Sequence, residues 1–320
     1  MRAILVKEDK SLVWSDVPEP TPRDGEIIID IHATALNRAD LMQRAGNYPP
    51  PPGWPEWMGL EAAGVVSWAP AGSKWRVGDR VCALLGGGGY AERVAVPADM
   101  ALPIPAGISM VEAAAIPEVF ATAYLNLILE GRMKKGETAF IQGGASGLGM
   151  AAVQLAKYMG AAKVVTTVGS DDKAALVREL GADVVINRKK EDIAAVLAQH
   201  PVNVAMDSVA GPNLGACLAT MAHGGRWIII STLGGAKCEI DARDFFRRGV
   251  YLIGSTLRSR SSEMKGQILE SMREQLWPGF TSGKLKVIIH QTLPITQAEE
   301  AHAILERQEN LGKVVLVVKE

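Results

Sequence analysis

The stretch Thr138-Ala-Phe-Ile-Gln-Gly-Gly-Ala-Ser-Gly-Leu-Gly-Met150, continued by Ala151-Ala-Val-Gln-Leu-Ala-Lys-Tyr-Met-Gly160, decides the fold. It opens as a short apolar run, Thr138 to Ile141, then breaks into glycines at 143, 144, 147 and 149. Beyond them Ala152, Leu155, Ala156 and Met159 fall at i, i+3, i+4 and i+7, the period of a helix with one apolar face. Strand, glycine turn and helix together make a pyrophosphate site. The first amides of a helix lack intrahelical partners, and the helix dipole favours an anion there. Glycine permits the sharp turn and lets a phosphate approach the main chain. The order Gly144-x-x-Gly147-x-Gly149 departs from the usual G-x-G-x-x-G, and a glycine-rich turn alone would be weak evidence. The context strengthens it. A second strand-like run, Val164 to Val168, begins about twenty residues after the glycines, the spacing of a βαβ unit.

The same alternation continues downstream. Apolar runs recur at 138–141, 163–168, 184–186, 202–206, 226–230 and 250–257, with helical patterns at Asp171 to Leu180, Glu191 to Gln199 and Asn213 to Met221. Six strands with helices between them predict a doubly wound parallel sheet. Upstream the pattern differs. Residues 1 to about 115 carry short β-branched runs separated by proline and glycine, as an all-β region requires. Tyr48-Pro-Pro-Pro-Pro-Gly-Trp-Pro55 can only be a loop, because proline fixes φ and lacks an amide donor. An alanine-rich helical stretch, Met110 to Glu130, joins the two regions. A longer helix is expected near Glu263 to Trp277, then a β run at Lys286 to Leu293, a helix near Gln297 to Glu306 and a final β run, Gly312 to Val318. Periodicity leaves open whether that last run joins the second sheet or returns to the first region.

Composition sets limits. The chain has 320 residues, 48% apolar and 22% charged, which suits a globular protein of two domains. Its 34 basic and 35 acidic residues balance to a net charge of −1, which argues against a nucleic acid as the main partner. Charge appears early at the N-terminus and no run of 18 apolar residues occurs, so a cytoplasmic protein without a membrane span is expected. Three widely separated cysteines, 82, 217 and 238, suit a reducing compartment. The five histidines show no metal-ligand spacing.

Over nearly its whole length the chain resembles the quinone oxidoreductase branch of the medium-chain dehydrogenase/reductase superfamily, especially proteins related to the p53-inducible quinone oxidoreductase. The matching segments are Ala35–Arg44, Gly46–Pro50, Gly59-Leu-Glu-Ala-Ala-Gly64, Val77–Val81, Ala114–Pro117, Gln142–Gly149, Gly254-Ser-Thr-Leu-Arg-Ser-Arg260 and Asn310–Val315. The resemblance implies a GroES-like β domain over 1–120, completed by about 262–320, and a Rossmann domain of six strands over 121–261. It implies NADPH in the cleft between them and a homodimer formed across the last Rossmann strand, Val250–Gly254. Zinc enzymes of the superfamily hold their metal with Cys, His and Cys. Here the first position is Asn37, the second motif reads Leu60-Glu61, and the cysteine-rich structural zinc loop is missing. Asn and Leu cannot replace those ligands, so a zinc-free mechanism is expected, with no metal site.

A quinone or enone takes hydride at one end while charge spreads to its oxygen, and a hydrogen-bond donor near that oxygen can suffice. Tyr48 and Asn37 are the candidates, by their position in the family's substrate cleft. The ordinary readings, a loop-packing tyrosine and a strand-end amide, stand beside these. For the cofactor, the resemblance points to Thr122 near the nicotinamide and to Gly144, Ser146, Gly147, Leu148 and Gly149 in the glycine loop. Gly169, Ser170 and Lys173 follow the second strand and Arg188 the third. Leu233 and Leu257 would flank the nicotinamide, and Asn310 and Lys313 would come back from the C-terminus. In an NAD-specific fold, an acid at the end of the second strand holds the ribose. That strand here ends Thr167-Val-Gly-Ser170, while Lys173 and Arg188 offer charge to a 2′-phosphate. NADPH is therefore expected over NADH. Competing readings are a 2-alkenal or enoyl reductase, and an NADPH-binding sensor or RNA-binding protein with little turnover.

Overall fold

The protein is described by a computed structural model covering residues 1–319. The chain forms two compact units, Met1–Ala121 with the part from Arg258 onward, and Thr122–Leu257.

The second unit is the α/β one. Its six strands are Val184–Asn187, Lys163–Val168, Thr138–Ile141, Val204–Asp207, Arg226–Ile229 and Tyr251–Gly254, in that spatial order. Every pairing is parallel. The chain starts at a central strand, winds outward, then returns and winds the other way. That reversal at Thr138–Ile141 is the doubly wound topology expected from the alternating runs. Val164 to Val168 are all buried, as a parallel strand covered on both faces must be. The edge strand Tyr251–Gly254 is different, with Tyr251 61% and Leu252 37% exposed. The core is built around Phe140, Val165, Ile186, Leu197 and Trp227. Trp227 donates its indole N–H to Asp207 at 2.9 Å, which satisfies the polar end of a fully buried ring.

The first unit is the GroES-like β domain. The sheet path runs Ile289–Pro294, Lys313–Val317, Glu26–Ala35, Glu61–Trp68, Arg80–Leu84, Ala101–Pro103, and Arg93–Pro97 also pairs with Glu26–Ala35. The C-terminal run therefore belongs to this unit, with Val315 opposite Ala35 in antiparallel register. The helix Ser262–Thr281 caps with Ser261, whose hydroxyl accepts from Met264 N. Its Pro278 sits near the end, where few intrahelical bonds are lost. A short helix, Arg38–Ala45, is present where the sequence pattern announces none.

One further feature of this unit is the run Gly86-Gly-Gly-Gly89. A Cβ at Gly86 would stand 2.7 Å from the Trp54 ring, and one at Gly87 would stand 2.8 Å from Pro55 O. At Gly89 it would meet Thr34 Oγ1 at 2.9 Å. The proline- and tryptophan-rich loop lies directly on this bare backbone, with Gly88 N donating to Trp57 O at 2.9 Å. Among the described residues no helix is long and apolar enough to cross a membrane.

Candidate active and cofactor-binding sites

In the Rossmann unit the glycine loop joins the strand Thr138–Ile141 to the helix Gly147–Tyr158. Ser146 caps that helix. Its Oγ accepts from Gly149 N at 3.0 Å and donates to Gly143 O at 2.8 Å. The glycines are required by space. A Cβ at Gly144 would lie 2.3 Å from Thr166 Oγ1, and one at Gly149 would lie 2.1 Å from Gly143 O. The loop is thus drawn tight against the second strand, with Gly144 N donating to Thr167 O at 2.9 Å. This places a bare backbone turn and a helix N-terminus at the carboxyl ends of the central strands, where a dinucleotide pyrophosphate fits.

The second strand ends beside this loop. The guanidinium of Arg188 lies over Gly169, 3.3 Å from where a Cβ would be. Arg188 N also donates to Val168 O at 3.1 Å, so the two strand ends are joined. The two nearby acids, Asp171 and Asp172, are engaged by neighbouring side chains. Asp171 accepts from Lys190 Nζ and Asn187 Nδ2, both at 2.6 Å. Its carboxyl is held below the usual range by the Lys190 and Asn187 hydrogen bonds, and that of Asp172 first by one from Ser170. Lys173 is half-buried at the start of the helix Ala174–Glu179. Thr122 sits on the helix Pro117–Tyr124, its carbonyl accepting from Asn126 Nδ2 at 2.7 Å. Leu233 is 56% exposed and Leu257 is buried.

In the β unit the segment following Ala35 brings several charged side chains together. Asn37 precedes the helix Arg38–Ala45, and its backbone N–H donates to Asp40 Oδ2 at 2.7 Å. The Asn37 amide is engaged on every side. Its Nδ2 donates to Glu61 Oε1 at 2.9 Å and to Ala35 O at 3.3 Å, and its Oδ1 accepts from Lys313 Nζ at 2.8 Å. Lys313 is 5% exposed and Glu61 is wholly buried. The ammonium donates to Glu61 Oε1 at 2.7 Å and to Leu36 O at 2.5 Å as well, so its three hydrogens all have acceptors. Glu61 Oε2 accepts from the Glu118 backbone N–H at 2.9 Å. A buried ion pair thus surrounds the Asn37 amide. Asn37 and Lys313, expected near the acceptor and the cofactor, bond to each other and to Glu61. Asn310 closes the same segment, its Nδ2 donating to Gly312 O at 2.8 Å.

Asp40 is buried beneath this group. It accepts from Gly59 N at 3.2 Å and from the Tyr90 hydroxyl at 3.3 Å. Burial pushes its carboxyl up to about 6. The Tyr90 hydroxyl also meets His302 Nε2 at 3.3 Å. His302 is fully buried with no partner for Nδ1 among the described residues, and burial lowers it to about 3. It is neutral at ordinary pH.

Tyr48 is placed differently from Asn37. It is half-buried in the loop after the helix, and the Arg258 guanidinium lies 4.1 Å from its ring centroid. Arg258 is held in turn. Its Nη2 donates to Pro49 O at 2.6 Å, and its backbone carbonyl accepts from Lys265 Nζ at 3.0 Å. Burial pushes the Tyr48 phenol up to about 12. Its O–H therefore stays protonated and can donate across the whole physiological range.

The sequence alone does not single out Asp40, Glu118, Arg258 or Lys265. Lys265 carries a signal that could have found it. It falls three and four residues before Ile268 and Leu269, on the buried face of its helix, and a cation in an apolar stripe calls for a partner. Among the described residues, no group of three or more His, Cys, Asp or Glu side chains is arranged to hold a metal ion.

A GroES-like β unit and a doubly wound α/β unit on one chain define an oxidoreductase of the medium-chain dehydrogenase/reductase type. Residues 147–274 match the family described as zinc-binding dehydrogenase, and residues 23–106 match the alcohol dehydrogenase GroES-like domain. A quinone oxidoreductase of Sus scrofa is 30% identical over 95% of this chain and 92% of its own length. The crystal structure of the quinone oxidoreductase from Thermus thermophilus, also described in complex with NADPH, is 31% identical, with a TM-score of 0.83 over 99% of this chain and 100% of that one. A structure described as an NAD-dependent alcohol dehydrogenase is 28% identical, with a TM-score of 0.84 over 99% and 100%. The chain belongs to the quinone oxidoreductase branch of the medium-chain dehydrogenase/reductase superfamily.

Proposed function

We propose that this protein reduces quinones or related conjugated carbonyls with NADPH, without zinc, as a member of the subgroup related to the p53-inducible quinone oxidoreductase. The observation that carries this reading is the pairing of Lys313 with Glu61 and Asn37 where a zinc enzyme needs ligands, with a braced, protonated Tyr48 in the same unit. An alcohol needs a Lewis acid to ionise before it can give up hydride. A conjugated acceptor needs only a donor at the oxygen on which charge collects, and the Tyr48 hydroxyl is suited to that role. In the Rossmann unit, the glycine loop and the Gly147–Tyr158 helix N-terminus would hold the pyrophosphate. Arg188, lying over Gly169, would grip the 2′-phosphate, with Ser170 and Lys173 beside it. Thr122, Leu233 and Leu257 would lie toward the nicotinamide. Bound NADPH supplies the hydride; Tyr48 orients the acceptor and stabilises the negative charge on its oxygen.

The test is NADPH oxidation across a panel of ortho- and para-quinones and 2-alkenals, with and without a chelator, for wild type and Y48F. Quinone turnover unaffected by the chelator and reduced at least tenfold in Y48F is expected, the scale of one lost donor to a developing charge. Turnover restricted to alkenals or enoyl thioesters would make the protein an enoyl-type reductase. NADPH binding without turnover would make it a sensor, and loss of activity on stoichiometric zinc removal would overturn the zinc-free chemistry.

A further inference from the structure

Tyr48 has a cation at its side whose bonding is incomplete. Arg258 is half-buried, and its guanidinium lies 4.1 Å from the Tyr48 ring centroid. Stacking on an aromatic face orients a planar cation. Two further bonds hold it. Nη2 donates to Pro49 O at 2.6 Å, and the Arg258 backbone carbonyl accepts from Nζ of the buried Lys265 at 3.0 Å. Nη1 is left over. It is closed off from solvent and has no hydrogen-bond partner among the described residues. An enclosed donor without an acceptor costs free energy, and more so on a charged group. Folded proteins keep few of them, and a ligand that brings an acceptor removes the cost.

Nor does the guanidinium meet a carboxylate. Its side-chain hydrogen bond goes to a backbone carbonyl. Burial opposes its charge, while Tyr48, Glu118 and Asp40 favour it through space. A cation and a phenol O–H therefore stand side by side, both of them donors. We propose that Arg258 forms an anion subsite beside Tyr48, and that the acceptor is a conjugated carbonyl compound carrying a carboxylate. Tyr48 donates to its carbonyl oxygen and Arg258 Nη1 to its carboxylate. This rests on the acceptor-site reading of Tyr48. One unused guanidinium nitrogen beside a neutral hydroxyl suits a planar group of single charge. A phosphate, with more charge and more oxygens, calls for further donors. Pro49, which holds Nη2, is exposed, so the guanidinium is reached from the outer face of the loop. The reduction is that of the proposed reaction. NADPH gives a hydride and solvent a proton, a quinone becomes its hydroquinone, and the carboxylate is unchanged.

The test uses the full chain and a matched pair of probes, 1,4-naphthoquinone-2-carboxylate and its methyl ester. The acid is ionised at neutral pH and the ester is not, while the ring is the same. Binding is measured by calorimetry, and KM and kcat by NADPH oxidation. Wild type should bind the acid roughly tenfold more tightly than the ester, the scale of one charge-assisted hydrogen bond in a half-buried site. The difference should appear in KM more than in kcat, because the carboxylate is not where charge develops. R258M also removes the brace from Tyr48, so both probes should weaken, but the acid roughly tenfold more, which brings the ratio close to one. R258K keeps the charge without the planar fork and should retain part of the preference. Equal binding of acid and ester by wild type would overturn the subsite, and so would a preference that survives R258M. Loss by the same factor for both probes in R258M would show that Arg258 only braces Tyr48. Acid preferred over ester in calorimetry, with no quinone turnover, would overturn the enzymatic reading and leave the subsite standing.

Discussion

Replacing Lys313 by Met removes the ammonium while keeping most of the side chain's volume. Three acceptors then lose their donor: Glu61 Oε1, Asn37 Oδ1 and Leu36 O. Breaking one partner of a buried ion pair costs about 3–5 kcal/mol, because the other charge stays buried and unmatched. Glu61 retains two donors, Asn37 Nδ2 and Glu118 N, which pulls the cost toward the lower end, about 3 kcal/mol. Adding E61Q removes the stranded charge, so the double variant should recover about 2 kcal/mol relative to the sum of the single changes. The assay is urea unfolding followed by tryptophan fluorescence. Trp14, Trp54, Trp57, Trp68, Trp75 and Trp277 lie in the β unit and only Trp227 in the Rossmann unit, so the signal reports chiefly on the unit that carries the pair. A K313M cost under about 1 kcal/mol, or strict additivity with E61Q, would refute the ion-pair reasoning.

R188A should weaken NADPH roughly tenfold and leave NADH nearly unchanged, since a charge-assisted bond to the 2′-phosphate is worth about 1.5–3 kcal/mol and exposure favours the lower end. Titration of both cofactors checks this, and equal losses would show that Arg188 supports the strand ends instead. K173A should act in the same direction, more weakly. His302 is held neutral in the fold at about 3, below its ordinary 6.5. Below pH 6.5 the unfolded chain therefore binds the proton that the native chain refuses, and stability is lost as pH falls from 6.5 toward 3. The stability gap between H302Q and wild type, measured by urea unfolding at several pH values, should move in favour of H302Q by about 1.4 kcal/mol per pH unit below about pH 6; a constant gap would contradict a buried neutral imidazole. The exposed edge strand Tyr251–Gly254, with Phe246 70% exposed on the preceding helix, should pair with a second copy. Sedimentation at micromolar concentration should give twice the chain mass, and L252K should reduce it to one.

The sequence carried the Rossmann unit most clearly. There, period and glycine placement act over neighbouring residues, and strands such as Lys163–Val168 appear where the apolar runs lie. The helix ends were less legible. The pattern from Asp171 to Leu180 becomes a short 3-10 turn followed by Ala174–Glu179, because fraying and tightening at helix ends leave no periodic trace. The destination of Lys313–Val317 was open from periodicity, since a buried strand reads the same in either sheet. The local placement of Tyr48 in its proline loop was legible. Contacts were not legible where partners lie far apart in sequence. Lys313 and Glu61 are separated by 252 residues and Lys313 and Asn37 by 276, so only the fold reveals that they neutralise one another. Resemblance found the segment Gly254–Arg260 but directed attention to Leu257, while the side chain that braces Tyr48 is its neighbour Arg258.

The bare backbone of Gly86–Gly89 has a consequence for engineering. The loop carrying Tyr48, Trp54 and Trp57 rests on a surface without side chains, so it has no rotamers that could yield to a larger group. Even alanine at 86 or 87 would meet an indole ring or a carbonyl within 3 Å and lift the loop as a whole. Libraries that test the acceptor role proposed for Tyr48 therefore belong in residues 48–57, where side chains can be exchanged one at a time. The glycine run beneath should be held constant, as the floor against which each variant loop is registered.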